Sequence, residues 1–184
     1  MKSVLISIQP KWVEKIANGQ KTIEVRKTRP NIATPFKCYI YQTKKFVPVD
    51  ITDGVNKYRP FLRQNQGKVI GEFVCDRIDK FKYRLTTFEE TPYKGKYISK
   101  EELAKTCLSI VDINDYLNGK NGYFWHISDF AIYENPKDLK EFGNIVEDCG
   151  WFFKKSITQP PQSWCYVESL GEEYGYTHSN GTSL

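Results

Sequence analysis

The stretch from Val4 to Arg26, VLISIQPKWVEKIANGQKTIEVR, carries the clearest structural pattern in the chain. Its first five residues are apolar except for one serine, which is typical of a buried strand. Pro10 suits the first turn of a helix and Gly19 suits its left-handed end. Between these two residues runs an apolar stripe with helical spacing, at Trp12, Val13 and Ile16. The pattern therefore predicts a strand followed by a short helix.

The last five residues of this stretch alternate between polar and apolar, which predicts a second strand directly after the helix. Ile23 and Val25 share one face of that strand, whereas Thr22, Glu24 and Arg26 share the other. Glu24 and Arg26 could form a solvated surface pair, as most charges on a strand do, with a stabilising effect below about 1 kcal/mol. The alternation therefore places both charges on one side and leaves their burial open.

Similar patterns predict four further strands and two short helices, at Phe36–Tyr41, Lys68–Cys75, Gly122–Tyr133, Ser163–Val167, Lys100–Cys107 and Ile113–Leu117. Residues 42–67 have the composition of a loop excursion, which is long enough for a lid, and residues 171–184 form a polar tail. Because loops often separate neighbouring strands, we expect one α+β domain over residues 1–170. Its sheet should be a mixed β-barrel of about five to six strands with short peripheral helices, rather than a doubly wound parallel sheet.

The composition indicates a soluble globular protein of 184 residues, with 15% aromatic residues and a net charge of +5. No apolar run is long enough to cross a bilayer, and the N-terminus lacks a secretory pattern, so we expect a cytoplasmic protein. The five cysteines contain no C-x-x-C pair and there are only two histidines. We therefore expect reduced thiols, no metal and no cofactor.

Three stretches interleave basic and aromatic residues, at positions 44–46, 57–63 and 80–84. This mixture suits a partner with a phosphate backbone and stackable bases. It is equally typical of solvated loops over a core, and the pattern alone does not separate the two interpretations.

Glu72 is the most informative carboxylate because its predicted strand is apolar on both sides. The alternation places Glu72 on one face with Ile70 and Val74. If that face is buried, Glu72 needs a partner, and Lys21 or Arg26 is the natural one. The resulting Lys21–Glu72 couple could transfer a proton beside a cation that stabilises a developing anion. If that face is open to water, Glu72 needs no partner.

Several aromatic and histidine side chains are weaker candidates. Trp12 and Trp125 fall on apolar stripes and are expected in the core, whereas Trp164, beside a proline entry, could stack on a nucleobase. His126 alternates with Phe124 and Ser128, which favours a hydrogen-bonded histidine within a sheet over a general base.

A family resemblance accompanies these patterns. Gly19, Lys21, Glu24 and Arg26 stand in the register G-x-K-x-x-E-x-R, which resembles the opening of ASCH domains in the PUA-like superfamily. Later blocks are similar to a phage- and firmicute-type branch of that family, at residues 67–73, 123–129 and 161–167. The resemblance implies a PUA-like barrel with a cleft beside the first helix and second strand.

The resemblance also implies a set of functions. Relatives are mostly inferred to bind RNA, some small ASCH proteins are amidohydrolases that act on N4-acylated cytidines, and at least one is described as a ribonuclease. Lys21 matches the lysine of the amidohydrolases, but Glu24 stands where those enzymes have a catalytic threonine.

We therefore expect RNA or a modified nucleoside as the ligand. The expected cleft residues are Lys21, Glu24, Arg26, Arg29 and Glu72, with Trp164 stacking on the base. The alternative is a hydrolase in which Lys21 stabilises the oxyanion and Glu72 moves the proton. A third hypothesis, from the branch resemblance, is a protein-interaction accessory of a phage or mobile element.

Overall fold

The computed structural model of the chain describes residues 2–44, 58–81 and 99–171. The strands are β1 (Lys2–Ile8), β2 (Ile23–Arg26), β3 (Phe36–Gln42), β4 (Val69–Phe81), β5 (Gly122–Lys137), β6 (Gly143–Asp148), β7 (Trp151–Ser156) and β8 (Trp164–Glu168). The helices are α1 (Pro10–Ala17), α2 (Arg59–Gln64), α3 (Lys100–Thr106) and α4 (Ile110–Leu117), with one 3-10 turn at Leu139–Glu141.

Six strands form one mixed sheet in the order β2-β5-β4-β3-β1-β8, and β6 and β7 form a separate hairpin. Within the sheet β1 and β3 run parallel, and the other neighbours are antiparallel. The α+β class is therefore confirmed. The expected closed barrel is wrong, because β2 and β8 are the two edges of an open sheet and are not paired with each other.

The sheet has a hydrophobic core on each face. On the face that we call inner, α1 and α2 cover residues that include Val4, Ile6, Ile40, Phe73 and Trp125. On the outer face, α3 and α4 cover one end of the sheet, around Ile23, Val25 and Phe124. The other end of the outer face buries Leu5, Tyr39, Tyr41, Phe142 and Val167. Each strand of the sheet is therefore buried on both sides over part of its length.

A register irregularity in β4 determines which way Glu72 points. Tyr41 pairs with Val69 but Ile40 pairs with Gly71, so Ile70 is an extra residue in the strand. Ile70 and Gly71 consequently do not follow simple alternation, and Ile70 turns into the inner core. Glu72 lies directly opposite Tyr39 and therefore on the outer face. The prediction that Glu72 shares a face with Ile70 is wrong for this reason.

Most predicted elements are confirmed to within a few residues, with three differences. Helix α2 lies inside the expected loop at 42–67, of which residues 45–57 are outside the described ranges, so the lid remains a prediction. Strand β5 continues through Asn135-Pro136 to Lys137, and the β6–β7 hairpin was not predicted. The tail after Gly171 also lies outside the described residues. No helix of the described ranges has the length and apolarity to cross a membrane.

Candidate nucleic-acid interface at the β2 edge

The turn between α1 and β2 directs the motif lysine into the protein. Gly19 has a φ of +72°, a conformation that glycine adopts without a steric penalty, and it ends the helix. The backbone N–H of Lys21 then donates to the Lys15 carbonyl at 3.0 Å. The chain therefore reverses tightly, and the Lys21 side chain is 2% exposed.

The Lys21 ammonium finds three oxygen acceptors around it. Its Nζ lies 2.9 Å from the Ile23 carbonyl, 2.8 Å from the Thr106 carbonyl and 3.2 Å from Oε2 of Glu24. Three acceptors match the three hydrogens of an ammonium group. Since Thr106 is the last residue of α3, the cation also meets the negative end of that helix. Lys21 thus ties β2 to α3.

Glu24 and Arg26 complete a buried ionic network on the inner face. Arg26 Nε lies 3.0 Å from Glu24 Oε1, in an ion pair that lacks hydrogen-bond alignment. Arg26 also donates to the Ser7 carbonyl at 2.8 Å and to Ser163 Oγ at 3.2 Å. Arg26 therefore bridges the edge strand β2 to β1 and to the residue that precedes β8.

Lys21, Glu24 and Arg26, which we call the β2-edge triad, correspond to the charged positions of the G-x-K-x-x-E-x-R pattern. Their exposure is 2%, 7% and 7%, so the interpretation of Glu24 and Arg26 as a solvated pair is wrong. A buried network of this kind offsets its desolvation through close ion pairs and hydrogen bonds. Removing one member would leave the others buried without compensation.

Three aromatic side chains lie near the β2 edge. The centre of the Trp12 ring of α1 lies 5.4 Å from Lys21 Nζ. Trp164 of β8 is half-buried, and its ring centre lies 6.0 Å from that of Trp125. Its Nε1 donates to Thr28 Oγ1 at 3.0 Å. Tyr116 of α4 is 41% exposed. Burial raises the pKa of the Tyr116 hydroxyl, and the ring lies near Lys27, the residue directly after β2.

The sequence pattern does not mark Tyr116 as a candidate. It falls within a predicted helix whose apolar residues, Ile113 and Leu117, are buried. Helical geometry places Tyr116 beside that apolar stripe, and its position relative to β2 depends on the tertiary packing of α4. The capping box at Ser109 is a local signal for the start of this helix but not for the contacts of Tyr116.

Exposed cations lie beside two of these aromatic rings. Lys11 Nζ lies 4.4 Å from the centre of the Trp12 ring, and Lys27 Nζ lies 4.8 Å from the centre of the Tyr116 ring. Arg29 is exposed and donates from Nε to the Pro30 carbonyl at 3.3 Å. The surface along β2 therefore combines ring faces with positive charge, whereas the triad lies beneath it.

Glu72 has partners other than the expected ones. Its Oε1 lies 2.7 Å from Lys37 Nζ, and its Oε2 accepts from the Tyr133 hydroxyl at 2.5 Å. Burial opposes ionisation of Glu72, but the lysine and the hydroxyl outweigh it and hold its pKa below the usual value. Burial and this carboxylate together raise the pKa of Tyr133. Because Lys21 pairs with Glu24 at the sheet edge and Glu72 pairs with Lys37 on a different strand, the predicted Lys21–Glu72 couple does not form.

His126 is a hydrogen-bonded sheet histidine, as the sequence indicated. Its Nε2 lies 2.9 Å from Asp79 Oδ2, and Arg77 lies 3.1 Å away. Ser128 donates to the Val74 carbonyl instead of to His126. A polar pocket of about 350 Å³ adjoins the histidine, lined by Thr22, Asp76, Arg77, Lys105, His126 and Ile127. Over residues 2–44, 58–81 and 99–171, no group of three His, Cys, Asp or Glu side chains could hold a metal ion.

The basic and aromatic stretches are described only in part. Residues 45, 46, 57 and 82–84 lie outside the described ranges. In the second stretch, Tyr58 and Phe61 pack against the inner core, and Arg59 pairs with Glu14 of α1 at 2.6 Å. The described part of this stretch therefore attaches α2 to α1.

Comparisons with known proteins agree with the resemblance. The ASCH domain model matches residues 6–136, whereas no curated protein matches the chain in sequence. The crystal structure of ASCH from Zymomonas mobilis is similar to the chain at 19% identity and a TM-score of 0.55, covering 90% of this chain and 87% of its own. A tyrosine-to-phenylalanine mutant of that protein gives 20% identity, a TM-score of 0.57 and 91% coverage of both chains.

A serine-to-alanine mutant of the same protein gives 20% identity and a TM-score of 0.57, with coverage of 90% of this chain and 88% of its own. These similarities establish a shared fold. The narrower resemblance to a phage- and firmicute-type branch stays a prediction. Since the family model spans most of the chain, from the end of β1 almost to the end of β5, the chain belongs to the ASCH domain family.

Proposed function

We propose that this protein binds single-stranded RNA, or a modified nucleoside, at the β2 edge. The observation that carries the proposal is the combination of exposed cations and partly exposed aromatic rings over one sheet edge. Nucleic-acid-binding surfaces need positive charge for phosphates and ring faces for bases. The net charge of +5 and the RNA-binding inference for ASCH domains are consistent with this partner.

The exposed residues would make the ligand contacts. Lys27 and Arg29 follow β2 directly and are exposed, which suits contacts with phosphates. Trp164 contacts Thr28 and the Tyr116 ring lies near Lys27, both just after β2, and these two rings would stack on bases. Trp164 keeps the role expected from the sequence, whereas Tyr116 is an addition from the folded chain.

The triad would act in this proposal by positioning the contact residues. Lys21, Glu24 and Arg26 already neutralise one another and are almost inaccessible to water. Arg26 holds Ser163, the residue before Trp164, and thereby orients the stacking ring. Glu72 is on the other face of the sheet and has no part in this ligand site.

The hydrolase alternative receives less support. Lys21 lies at the β2 edge and Glu72 is on β4, two strands away and paired with Lys37, so the two are not arranged to act on one bond. The hydrogens of Lys21 also already meet three acceptors. Hydrolysis of N4-acetylcytidine or cleavage of RNA, detected by mass spectrometry of the products, would support the hydrolase function. The binding proposal expects intact ligand.

The proposal is tested by fluorescence anisotropy with a labelled oligouridylate of about 12 nucleotides at two salt concentrations. We expect Lys27→Ala and Arg29→Ala to weaken binding and to reduce the dependence of log affinity on log salt by about one unit each. Lys140→Ala, at an exposed lysine on the 3-10 turn, is the matched control and should bind normally. An affinity that does not change with salt concentration, or that neither substitution changes, would contradict the proposal.

A further inference from the structure

The β6–β7 hairpin exposes three consecutive aromatic side chains. Trp151 is 50% exposed, Phe152 39% and Phe153 42%. Such exposure is unusual for large apolar residues, and clusters of them on a surface commonly mark an interaction site. The hairpin is also separate from the main sheet, and two-stranded ribbons of this kind gain little stability from their own contacts. The aromatic residues therefore call for an explanation beyond folding.

Strand alternation sorts these residues into two faces. Trp151, Phe153 and Lys155 lie on one face, and we call them the hairpin stripe. Phe152 and Lys154 lie on the other face, where the Lys154 ammonium donates to the Glu141 carbonyl of the 3-10 turn. The second face is thus tied to the domain through Lys154. The stripe presents two rings and a cation in a row.

We propose that the hairpin stripe is a second contact surface for single-stranded RNA, which rests on the RNA-binding function proposed above. Alternate side chains on a strand are about 6.6 Å apart. Aromatic residues on strands of RNA-binding sheets stack two or three successive bases. In the stripe, Trp151 and Phe153 each stack on a base and Lys155 contacts a phosphate.

Charges around the stripe favour a nucleic acid over an apolar protein partner. Asp148 lies directly opposite Trp151, and Asn144 lies directly opposite Lys155. A carboxylate beside a stacked base can accept from an N–H group on the edge of that base, such as N3–H of uracil, and a lysine can meet a phosphate. An apolar partner would instead bury Asp148 and Lys155 without compensation, which is unfavourable.

The hairpin is connected directly to the β2 edge through the chain. The short segment 157–162 links β7 to Ser163, which Arg26 contacts. Ser7 Oγ donates to the Pro161 carbonyl at 2.6 Å and so fixes this link against β1. One RNA strand that reaches from Trp164 along the link would meet the stripe.

The test compares the double variant Trp151→Ala/Phe153→Ala with Phe152→Ala, which removes a ring from the other face. Binding of a labelled oligouridylate of about 12 nucleotides is measured by anisotropy. We expect the double variant to bind at least about tenfold more weakly and Phe152→Ala to bind within about twofold of wild type. Ultraviolet cross-linking to the same RNA, read by mass spectrometry, should modify the peptide that contains Trp151 and Phe153.

Each outcome separates this inference from the function on which it rests. If the double variant binds RNA like wild type, the proposal that the stripe contacts RNA is wrong and the β2-edge proposal stands. If wild type binds no RNA, both fail. If the double variant loses binding while Lys27→Ala and Arg29→Ala keep it, the stripe is supported and the β2-edge proposal fails. Reduced self-association of the double variant with unchanged RNA binding would identify a second copy as the partner and overturn the stripe.

Circular dichroism and thermal unfolding show whether the double variant folds. If it does not, Lys155→Ala keeps the inference testable, because it removes one exposed charge and no core contact. We expect Lys155→Ala to weaken RNA binding and to reduce its salt dependence. Unchanged binding by Lys155→Ala together with cross-links elsewhere in the chain would overturn the inference.

Discussion

The β2-edge triad and the cluster of Lys37, Glu72 and Tyr133 each hold a glutamate between a lysine and a second donor, yet water reaches only one of these groups readily. In the triad, the lysine and glutamate side chains are 2% and 9% exposed. In the cluster, the lysine side chain is 40% exposed and that of Glu72 is 24% exposed. The two groups also lie on opposite faces of the same sheet.

This difference in burial changes what each charge does for the protein. A buried ion network gains little over apolar residues, but removal of one member leaves an uncompensated charge in a medium of low polarity. A partly exposed pair is screened by water and salt, so removing one member lowers the free energy of unfolding by less. A lysine–glutamate pair therefore belongs to a buried ionic network at β2 and to a partly exposed contact at β4.

The largest expected effect is that of Glu24→Gln. The substitution keeps the shape of the side chain but leaves the Lys21 and Arg26 charges without their carboxylate, so the free energy of unfolding should fall by about 3–5 kcal/mol. Urea unfolding measures this loss. Glu134→Gln, at an exposed position of β5, is the control and should stay within about 0.5 kcal/mol of wild type. A loss below about 1 kcal/mol for Glu24→Gln would show that water screens the triad.

A smaller loss is expected for Lys21→Met. The apolar chain fills similar space, but the carbonyls of Ile23 and Thr106 lose a buried donor, and stability should fall by about 2–3 kcal/mol. Amide hydrogen exchange should also increase at the end of α3, which Lys21 holds. Lys105→Met, at an exposed lysine of the same helix, should leave exchange unchanged. Equal exchange in both variants would mean that Lys21 does not anchor α3.

Glu72→Gln should have a pH-dependent effect. The folded protein holds the pKa of Glu72 below its usual value, so ionised Glu72 stabilises the fold above the ordinary pKa of about 4.3. That contribution disappears as the pH falls through the lowered pKa. We expect a deficit of about 1–2 kcal/mol for the variant at pH 7 that shrinks as the pH falls below about 4.3, measured by denaturant unfolding. A deficit that is constant with pH would contradict this account.

The smallest effect is expected for Lys37→Ala. The lysine is largely solvated, so its pair with Glu72 should contribute less than about 1 kcal/mol, and less still at high salt. Urea unfolding at two salt concentrations checks both points. A loss above about 2 kcal/mol would place Lys37 with the buried triad and remove the contrast between the two groups.

Local patterns predicted the parts of this fold that depend on neighbouring residues in the sequence. The alternation in β2 correctly placed Glu24 and Arg26 on one face, and the capping box at Ser99 correctly marked the start of α3. Hydrophobic periodicity is sufficient in such cases, because each residue is oriented by its own strand or helix. The position of the triad relative to the rest of the site required the family register.

Other features depend on contacts between distant segments, and the sequence did not reveal them. The extra residue Ile70 in β4 reverses the direction of Glu72, and Lys37, its partner, comes from a different strand. The β6–β7 turn contains Cys149 at a φ of +50°, which is uncommon for a residue other than glycine. A run of adjacent aromatic residues in β7 also lacks the alternation that marks a strand with one buried face.

The two edge strands of the open sheet, β2 and β8, are not paired with each other and leave a seam between them. Side chains join the borders of this seam: Arg26 donates to Ser163, Trp164 donates to Thr28, and the Asn31 backbone donates to the Tyr166 hydroxyl. Opening the seam breaks these three bonds but keeps all backbone hydrogen bonds between paired strands. Opening a closed barrel would instead break the backbone hydrogen bonds of one strand pair. The domain should therefore open locally between β2 and β8 at a lower free energy than between any two paired strands of the sheet.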